Sequence, residues 1–253
     1  PTPYGITFFD DGYIGKPAIY VSAGGLIPVN VAGEPGYKKK ADPGDLIIMC
    51  GGKVGIDGIH GATESSMEAG EWISASHVQM GDPFTQKKMH DFLIEARDLG
   101  LYKGITDNGA GGLSSSVGEM AQFSNGFELW LDKVPLKYAG LDPWQILVSE
   151  SQERMTLAVS QEKINQFLEL AKKHDVESTV IGKFTNSGKF YSFFGGKTAT
   201  YLYMDFVHQG VPQMKLEAEW QAPEERGLSE PNLEEITDHT SFLKEMLSRP
   251  NIC

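Results

Sequence analysis

The sequence contains little cysteine and no long apolar run, and both absences limit what the protein can be. Only two of its 253 residues are cysteines, Cys50 and Cys253, too few for a disulfide framework or a cysteine metal site. Cys50 ends the apolar run DLIIMC, so we interpret it as a buried, reduced thiol rather than a catalytic one. No apolar run approaches the roughly 18 residues that span a bilayer, and no N-terminal signal pattern is present. We therefore expect a cytoplasmic protein without a membrane partner.

Positive charge is also scarce. The 22 Lys and Arg residues are outnumbered by 34 Asp and Glu, which gives a net charge of −12. Such a chain lacks the broad basic surface that binds nucleic acid, so we expect no nucleic-acid partner. A nucleophile elbow, C-x-x-C and H-E-x-x-H are missing too, which disfavours hydrolases and zinc enzymes. Anionic ligands are still compatible with the charge, because glycine-rich loops and helix N-termini bind phosphate through backbone N–H groups.

Glycine, in contrast, is abundant and separates strand-like from helix-like patterns. Apolar runs at 16–26 and 46–50 predict strands that end at paired glycines. Residues 82–83 and 142–143 are Asp-Pro pairs, which typically begin helices. The first of these helices should end at Gly100 and bury one apolar stripe, formed by Met89, Phe92, Leu93, Ala96 and Leu99.

The second half of the chain predicts the fold class. Residues 178–206 contain three strand-like runs joined by NSG and GGK turns, which indicates an antiparallel meander. With the preceding strands and helices, this predicts an α+β fold in which helices pack on a mixed β-sheet. After His208 the chain becomes rich in Pro and Glu without a clean period, so we expect a linker or extended arm and then a short helix at 241–247. The ends of the sequence close no obvious element, and we expect a piece of a longer protein.

Two clusters with potential chemistry lie in the first third of the chain. Asp57 and His60 sit within GGKVGIDGIHGATESS, where turn stabilisation is the more common role and catalysis the alternative. Gln79 precedes the helix start at Asp82, so its amide could reach a ligand held at the helix N-terminus. Asp82 itself is best explained as the N-cap.

The third cluster is the stretch ITDNGAGGLSSSVGEM, which begins at residue 105. Asp107 should end a strand, where ligands gather in α/β layouts. Gly109, Gly111 and Gly112 would leave backbone N–H groups open to a phosphate, and Asp107 beside them could hold a bridging Mg²⁺. The alternative is a plain glycine turn with Ser114 as the cap. The residues alone leave both interpretations open.

The fourth cluster is SESQERM, at residues 149–155. It places five polar side chains between a helix and an apolar strand: Glu150, Ser151, Gln152, Glu153 and Arg154. A solvated turn would usually contain glycine, proline or asparagine at such a boundary. Long hydrogen-bonding side chains here favour a polar ligand such as a sugar or an amide.

Five segments together resemble the synthetase part of phosphoribosylformylglycinamidine synthase: DGIHGAT, VQMGDPF, ITDNGAGGLSSSVGEMA, LDKVPLKYAGLDPWQILVSESQERM and VIGKFT. The resemblance covers roughly residues 5–210, and GAGGLSS followed by SESQERM is its most specific part. It implies an ATP-dependent ligase of purine biosynthesis. ATP would phosphorylate the amide oxygen of formylglycinamide ribonucleotide, and glutamine-derived ammonia would displace the phosphate to form the amidine.

The resemblance also implies roles for individual residues. Gln79 would contact the substrate, as would Glu150, Ser151 and Gln152 acting as a unit, and Asp107 would bind Mg²⁺. The implied cofactors are ATP and Mg²⁺. The implied partners are a glutaminase domain or subunit that supplies ammonia and the remaining half of the synthetase.

The departures from the family are equally informative. Counterparts of its N-terminal catalytic histidine, its ATP-binding lysine and its SHNHPS-type segment are missing, so we assign no catalytic residue to this chain and expect it to be inactive alone. Glu64 stands where the family usually has an apolar or aromatic residue, and its loop receives no ligand. The resemblance implies three parts: the end of an N-type subdomain or connecting strands (1–50), a C-type substrate-binding domain (51–208), and a linker with a short helix (209–253).

Two other interpretations stay open. The wider superfamily includes aminoimidazole ribonucleotide synthetase, thiamine monophosphate kinase and selenophosphate synthetase, so the chain could belong to another ATP-dependent enzyme such as a small-molecule kinase. It could also be a non-catalytic nucleotide-binding regulatory module.

Overall fold

A computed structural model describes residues 9, 11–13, 22, 24–61, 81–227 and 237–249. The chain divides into two units, one formed by Gly24–Pro212 and the other by Pro1–Ala23 together with Gln213–Cys253. The strands of the larger unit are Asn30–Val31 (β1), Glu34–Pro35 (β2), Leu46–Gly51 (β3), Gly104–Asp107 (β4), Phe127–Trp130 (β5), Arg154–Val159 (β6), Ser178–Phe184 (β7), Lys189–Phe194 (β8) and Lys197–Tyr203 (β9). Its α-helices are Pro83–Asp98 (α1), Gly112–Met120 (α2), Pro143–Val148 (α3), Ile164–Lys173 (α4) and Met204–Gln209 (α5).

Seven of these strands form one mixed sheet in the order β4-β6-β3-β7-β5-β8-β9. Neighbouring strands are antiparallel, except that β5 and β8 are parallel. The two short strands β1 and β2 pair separately and antiparallel. The sheet together with its helices confirms the predicted α+β class.

Strand β3 lies in the middle of the sheet and is buried on both faces. Ile47 and Met49 point into one core and Ile48 and Cys50 into the other. The first core contains side chains of α2, α3 and α5, and the second contains side chains of α1 and α4. This double burial explains why β3 reads as an unbroken apolar run rather than as an alternating one.

Helix α1 follows the predicted pattern closely. The carboxylate of Asp82 accepts a hydrogen bond from the backbone N–H of Phe84 at 3.0 Å, and Pro83 is the first helical residue. The predicted stripe is buried except for Leu99, which is 51% exposed. The prediction for Leu99 was wrong because the helix already ends at Asp98, and Leu99 is the C-cap before the left-handed Gly100.

The predicted meander is correct only for its second half. Strands β8 and β9 form an antiparallel hairpin, but β5 lies between β7 and β8. The loop that joins β7 to β8 bonds to a distant turn instead of closing a hairpin. In it the N–H of Thr185 donates to Gly126, and that of Gly188 donates to Asn125. A local turn signal cannot reveal such a long-range pairing.

The smaller unit contains short elements in its described residues. These are 3₁₀ turns at Asp11–Tyr13 and Pro223–Arg226 and the helix His239–Leu247 (α6). Asp238 caps α6 by accepting from the backbone N–H of Thr240 and Ser241 at 3.1 Å each. The predicted C-terminal helix is thus confirmed. The predicted strand at 16–26 falls mostly outside the described residues. None of the described helices is both long and apolar enough to cross a membrane.

The burial of Cys50 predicts low thiol reactivity. Its exposure is 0%, and burial raises the pKa of the thiol to about 12, so the reactive thiolate is scarce at neutral pH. In a Cys253→Ser variant, which leaves Cys50 as the single cysteine, we expect a thiol reagent at pH 8 to label the native protein at least about 100-fold more slowly than the urea-unfolded protein. Labelling at similar rates in the two states would contradict the buried-thiol interpretation.

Candidate functional site

Three loops meet where strands β3, β4 and β6 of the seven-stranded sheet begin or end. Strand β3 ends at Gly51 and β6 begins at Arg154, and these two residues are paired across the strands. Strand β4 ends at Asp107, opposite the second residue of β6. The neighbouring chain segments therefore emerge together, and we name them the β3 loop (residues 52–61), the glycine loop (108–112) and the polar turn (149–153).

Asp107 occupies the predicted strand end and is exposed. Its Oδ1 accepts a hydrogen bond from the backbone N–H of Gly109 at 2.9 Å. The N–H of Gly111 donates to Glu150 Oε1 at 3.0 Å, and that of Gly112 donates to the carbonyl of Gly109 at 2.9 Å. Each of the three glycine N–H groups that were predicted to bind phosphate thus has a protein acceptor, and two of those acceptors are carboxylates.

The glycine loop packs closely on the polar turn. Gly112 has φ of +55°, and a Cβ built on it would lie 2.1 Å from the carbonyl oxygen of Ser149. Only glycine fits this contact, since it needs both the left-handed conformation and the missing side chain. The N-cap of α2 is Gly111, and Ser114 instead donates its hydroxyl to the Gly111 carbonyl at 2.6 Å. The alternative of Ser114 as the cap was therefore wrong.

The polar turn presents its three predicted residues differently. Glu150 is half-buried and holds Gly111, while Gln152 is exposed and donates its amide to the Glu150 carbonyl at 3.1 Å. Ser151 is only 1% exposed, and its hydroxyl accepts from the N–H of Gly55 at 2.9 Å. The structure therefore places Ser151 beneath the surface, and its contact with a substrate stays a prediction.

Asp57 connects the β3 loop to the rest of the site. Its carboxylate accepts from the hydroxyl of Ser151 and pairs with Lys137 Nζ at 2.7 Å. Its backbone carbonyl accepts from the N–H of Glu150 at 2.8 Å. Partial desolvation raises the pKa of Asp57, but the hydrogen bonds from Lys137 and Ser151 together hold it below its ordinary value. These contacts agree with the turn-stabilising interpretation of Asp57.

Arg154 and Asn108 are two buried polar residues beneath the site. The sequence singled out Arg154 only as one of the five polar side chains of its run, and it indicated no role for Asn108. Arg154 is 3% exposed, and desolvation lowers its pKa to about 10, so it stays charged at neutral pH. The Oδ1 of Asn108 accepts from Ser116 at 2.5 Å and from Thr156 at 2.8 Å. The Asn108 Nδ2 has no hydrogen-bond partner within the described part of the chain. The one sequence signal for a role of these residues in the site was their position, since Asn108 directly follows Asp107 and Arg154 ends the polar run.

A cavity of about 770 Å³ opens beside the polar turn. Its wall includes Gln152 and Glu153 from the turn, Gly52 and Lys53 from the β3 loop, and Lys137. It also includes the start of α1 and the end of α4. Gln79 and Glu64 lie outside the described residues, so the predicted contact of Gln79 stays a prediction.

The described residues contain no group of three or more His, Cys, Asp and Glu side chains suited to a metal ion. Asp107 is therefore a single carboxylate rather than part of a preformed centre. One carboxylate is nevertheless a suitable donor for Mg²⁺, which often takes one or two protein carboxylates together with phosphate oxygens.

The chain therefore forms an α+β domain in which a mixed sheet has helices on both faces and polar loops at one end of its strands. Residues 42–195 match the family model described as AIR synthase related protein, C-terminal domain, and the chain belongs to that family. It is 34% identical to the phosphoribosylformylglycinamidine synthase subunit PurL of Methanopyrus kandleri, over 100% of this chain and 34% of that protein. The chain thus spans about a third of the length of the curated relatives it matches.

Two solved structures of Thermotoga maritima PurL resemble the fold. The one complexed with FGAR has a TM-score of 0.67 at 32% identity and covers 73% of this chain and 31% of that chain. The one complexed with ATP has a TM-score of 0.62 at 29% identity, with 73% and 29% covered.

The contact between the glycine loop and the polar turn can be tested at Gly112. In Gly112→Ala, the left-handed conformation and the clash with the Ser149 carbonyl should together lower the free energy of unfolding by about 3 kcal/mol. Gly195→Ala is the matched control, because Gly195 has the same φ of +55° with nothing within 4 Å of the added Cβ. It should lose only about 1 kcal/mol. Equal losses in urea unfolding would show that the close approach is not a constraint.

The pKa of Asp57 predicts how its contribution depends on pH. Because the folded-state pKa is depressed, the carboxylate stabilises the fold above its ordinary pKa of about 4, and this is lost as pH falls through the folded value. Asp57→Asn should therefore lower the free energy of unfolding by about 1.5 kcal/mol between pH 5 and 8, and by progressively less below about pH 4. Asp91→Asn, which removes an exposed pair with Lys87, should leave urea unfolding unchanged. A pH-independent difference for Asp57→Asn would contradict the assignment.

Proposed function

We propose that this chain supplies the C-type, substrate-binding domain of a phosphoribosylformylglycinamidine synthase. The reaction would be the ATP-dependent conversion of formylglycinamide ribonucleotide and glutamine-derived ammonia to formylglycinamidine ribonucleotide in purine biosynthesis. The observation that carries the proposal is the hydrogen bond from Gly111 to Glu150. It joins the loop after Asp107 to the SESQ turn, so the two most specific segments of the family resemblance form one surface.

The proposed roles follow from what each side chain presents. Asp107 would bind Mg²⁺, because it is an exposed carboxylate whose orientation is held by the N–H of Gly109. Glu150 and Gln152 would contact the substrate from the polar turn, next to the 770 Å³ cavity. Gln79 would contact it from the segment before α1. Phosphoryl transfer depends on positioning and on neutralising charge with a metal, which this set of groups can supply without an acid–base triad.

The glycines are proposed to act mainly through these carboxylates. In this structure the N–H of Gly109 holds Asp107 and that of Gly111 holds Glu150. A phosphate at the same N–H groups would have to displace them. A role in orienting carboxylates is therefore favoured over a direct phosphate cradle at Gly109, Gly111 and Gly112.

The rest of the proposal concerns the protein beyond this domain. The ATP-binding and catalytic residues would belong to the other parts of the synthetase, and ammonia would come from a glutaminase domain or subunit. The chain alone would then be inactive. Residues 1–41 and 209–253 are proposed to connect the domain to its neighbours, because β3 at Leu46–Gly51 is already a central strand of the domain's sheet. The protein is proposed to act in the cytoplasm.

Complementation tests the function and the site together. A gene encoding the complete protein should restore purine-independent growth to a strain that lacks the synthase, whereas its Asp107→Ala and Gln152→Ala variants should not. With purified enzyme, the loss of metal binding in Asp107→Ala should lower kcat/KM at least about 100-fold. Asp98→Asn removes an exposed carboxylate beside Arg97 and should behave as wild type.

The outcomes separate the alternatives. Growth with both the Asp107 and the Gln152 variants would overturn the site assignment. Failure of the wild-type gene, together with purine-independent growth of its own host after deletion, would instead favour a different ATP-dependent member of the superfamily.

A further inference from the structure

The arrangement around Arg154 points to a positioning residue for the proposed site. Its guanidinium is buried, and its Nε donates to the carbonyl of Ser151 at 2.7 Å. Its Nη2 donates to the carbonyl of Ser149 at 2.6 Å and lies 3.4 Å from that of Asn108. One side chain thus binds backbone oxygens on both the polar turn and the glycine loop.

The backbone of Arg154 reinforces this link. Its carbonyl accepts the N–H of Asn108 at 3.2 Å, so main chain and side chain both bind the residue that follows Asp107. The Ser149 carbonyl that Nη2 holds is also the oxygen against which Gly112 packs. Displacing the guanidinium would therefore remove a hydrogen bond from each wall of the site at once.

The polar turn also contains a strained residue, Glu153, whose conformation Arg154 helps to hold. Glu153 has φ of +54°, a left-handed backbone conformation that residues other than glycine adopt at a cost in free energy. Such a conformation persists when the surrounding contacts over-determine it. The hydrogen bonds of Arg154 to Ser149 and Ser151 span the turn on the N-terminal side of Glu153 and restrain it.

Burying a cation is unfavourable unless hydrogen bonds compensate for its lost hydration, so the burial of the Arg154 guanidinium needs a physical reason. Within the described residues, its hydrogen-bond acceptors are backbone carbonyls and the thioether of Met49, and Asp57 contributes a favourable nearby charge. A planar guanidinium can donate to several diverging carbonyls in a fixed geometry, which an ammonium group cannot reproduce.

We propose that Arg154 is the residue that sets the relative position of the proposed metal carboxylate, Asp107, and the proposed substrate contacts, Glu150 and Gln152. It acts through the backbone of the polar turn and the glycine loop and does not touch the ligand. This inference rests on the proposed function for its catalytic consequences, but its structural part stands separately.

Arg154→Lys tests the proposal in the complete protein, because it keeps the charge and removes the planar donor set. Hydrogen exchange should become at least about 10-fold faster in peptides covering the amides of Gly55 and Gly111, which donate to Ser151 and Glu150. The KM for formylglycinamide ribonucleotide and the Mg²⁺ concentration for half-maximal rate should each rise at least about 10-fold, with a smaller change in kcat.

Two controls distinguish positioning from general destabilisation. Arg97→Lys changes an exposed arginine that pairs with Asp98, and it should alter neither readout. Ile48→Val trims a fully buried core residue of β3 and should lower thermal stability without raising KM.

The two readouts decide different questions. Wild-type exchange at Gly55 and Gly111 in Arg154→Lys, or faster exchange with unchanged KM and Mg²⁺ dependence, would overturn the positioning role. If the wild-type protein forms no amidine, the proposed function fails, while the exchange data still decide whether Arg154 holds the two loops together.

Discussion

The geometry of the site depends on the contacts made by the carbonyl group of Ser149. It accepts the hydrogen bond of the buried Arg154 and packs directly against the main chain of Gly112. A carbonyl constrained on two sides fixes the distance between the polar turn and the glycine loop. The position of Glu150, one residue later, and its hydrogen bond to Gly111 follow from that distance.

Most of the fold could be predicted because its signals are local. The Asp-Pro helix start at residue 82, the apolar stripe of α1 and the doubly buried run of β3 each depend on residues close in sequence. The insertion of β5 between β7 and β8 could not be predicted, because strand order depends on pairing between distant segments. A turn such as NSG shows that the chain reverses, but it does not show which strand becomes the neighbour.

The candidate site was predictable to a similar extent and for related reasons. Asp107 at a strand end and the SESQ turn stand out by residue type, and the structure brings their loops together. The burial of Arg154 within the SESQERM run could not be predicted, because arginine is usually exposed and its burial is a property of the tertiary packing. The burial of Ser151 could not be predicted either, because its hydroxyl belongs to a polar run, yet it lies beneath the surface and accepts from the N–H of Gly55.

The glycine loop illustrates how one pattern can have two physical meanings. Glycines beside a helix start are typical of phosphate sites, because their N–H groups are open and the helix dipole is favourable for anions. The same openness lets a side-chain carboxylate take the phosphate's place, as Asp107 and Glu150 do here. A Cβ on Gly109 would lie 2.6 Å from Asp107 Oδ1, so a larger residue there would displace the carboxylate from its present position. Gly109 and Gly111 are therefore explained by the carboxylates that their N–H groups hold, and Gly112 is explained by its close packing on the carbonyl of Ser149.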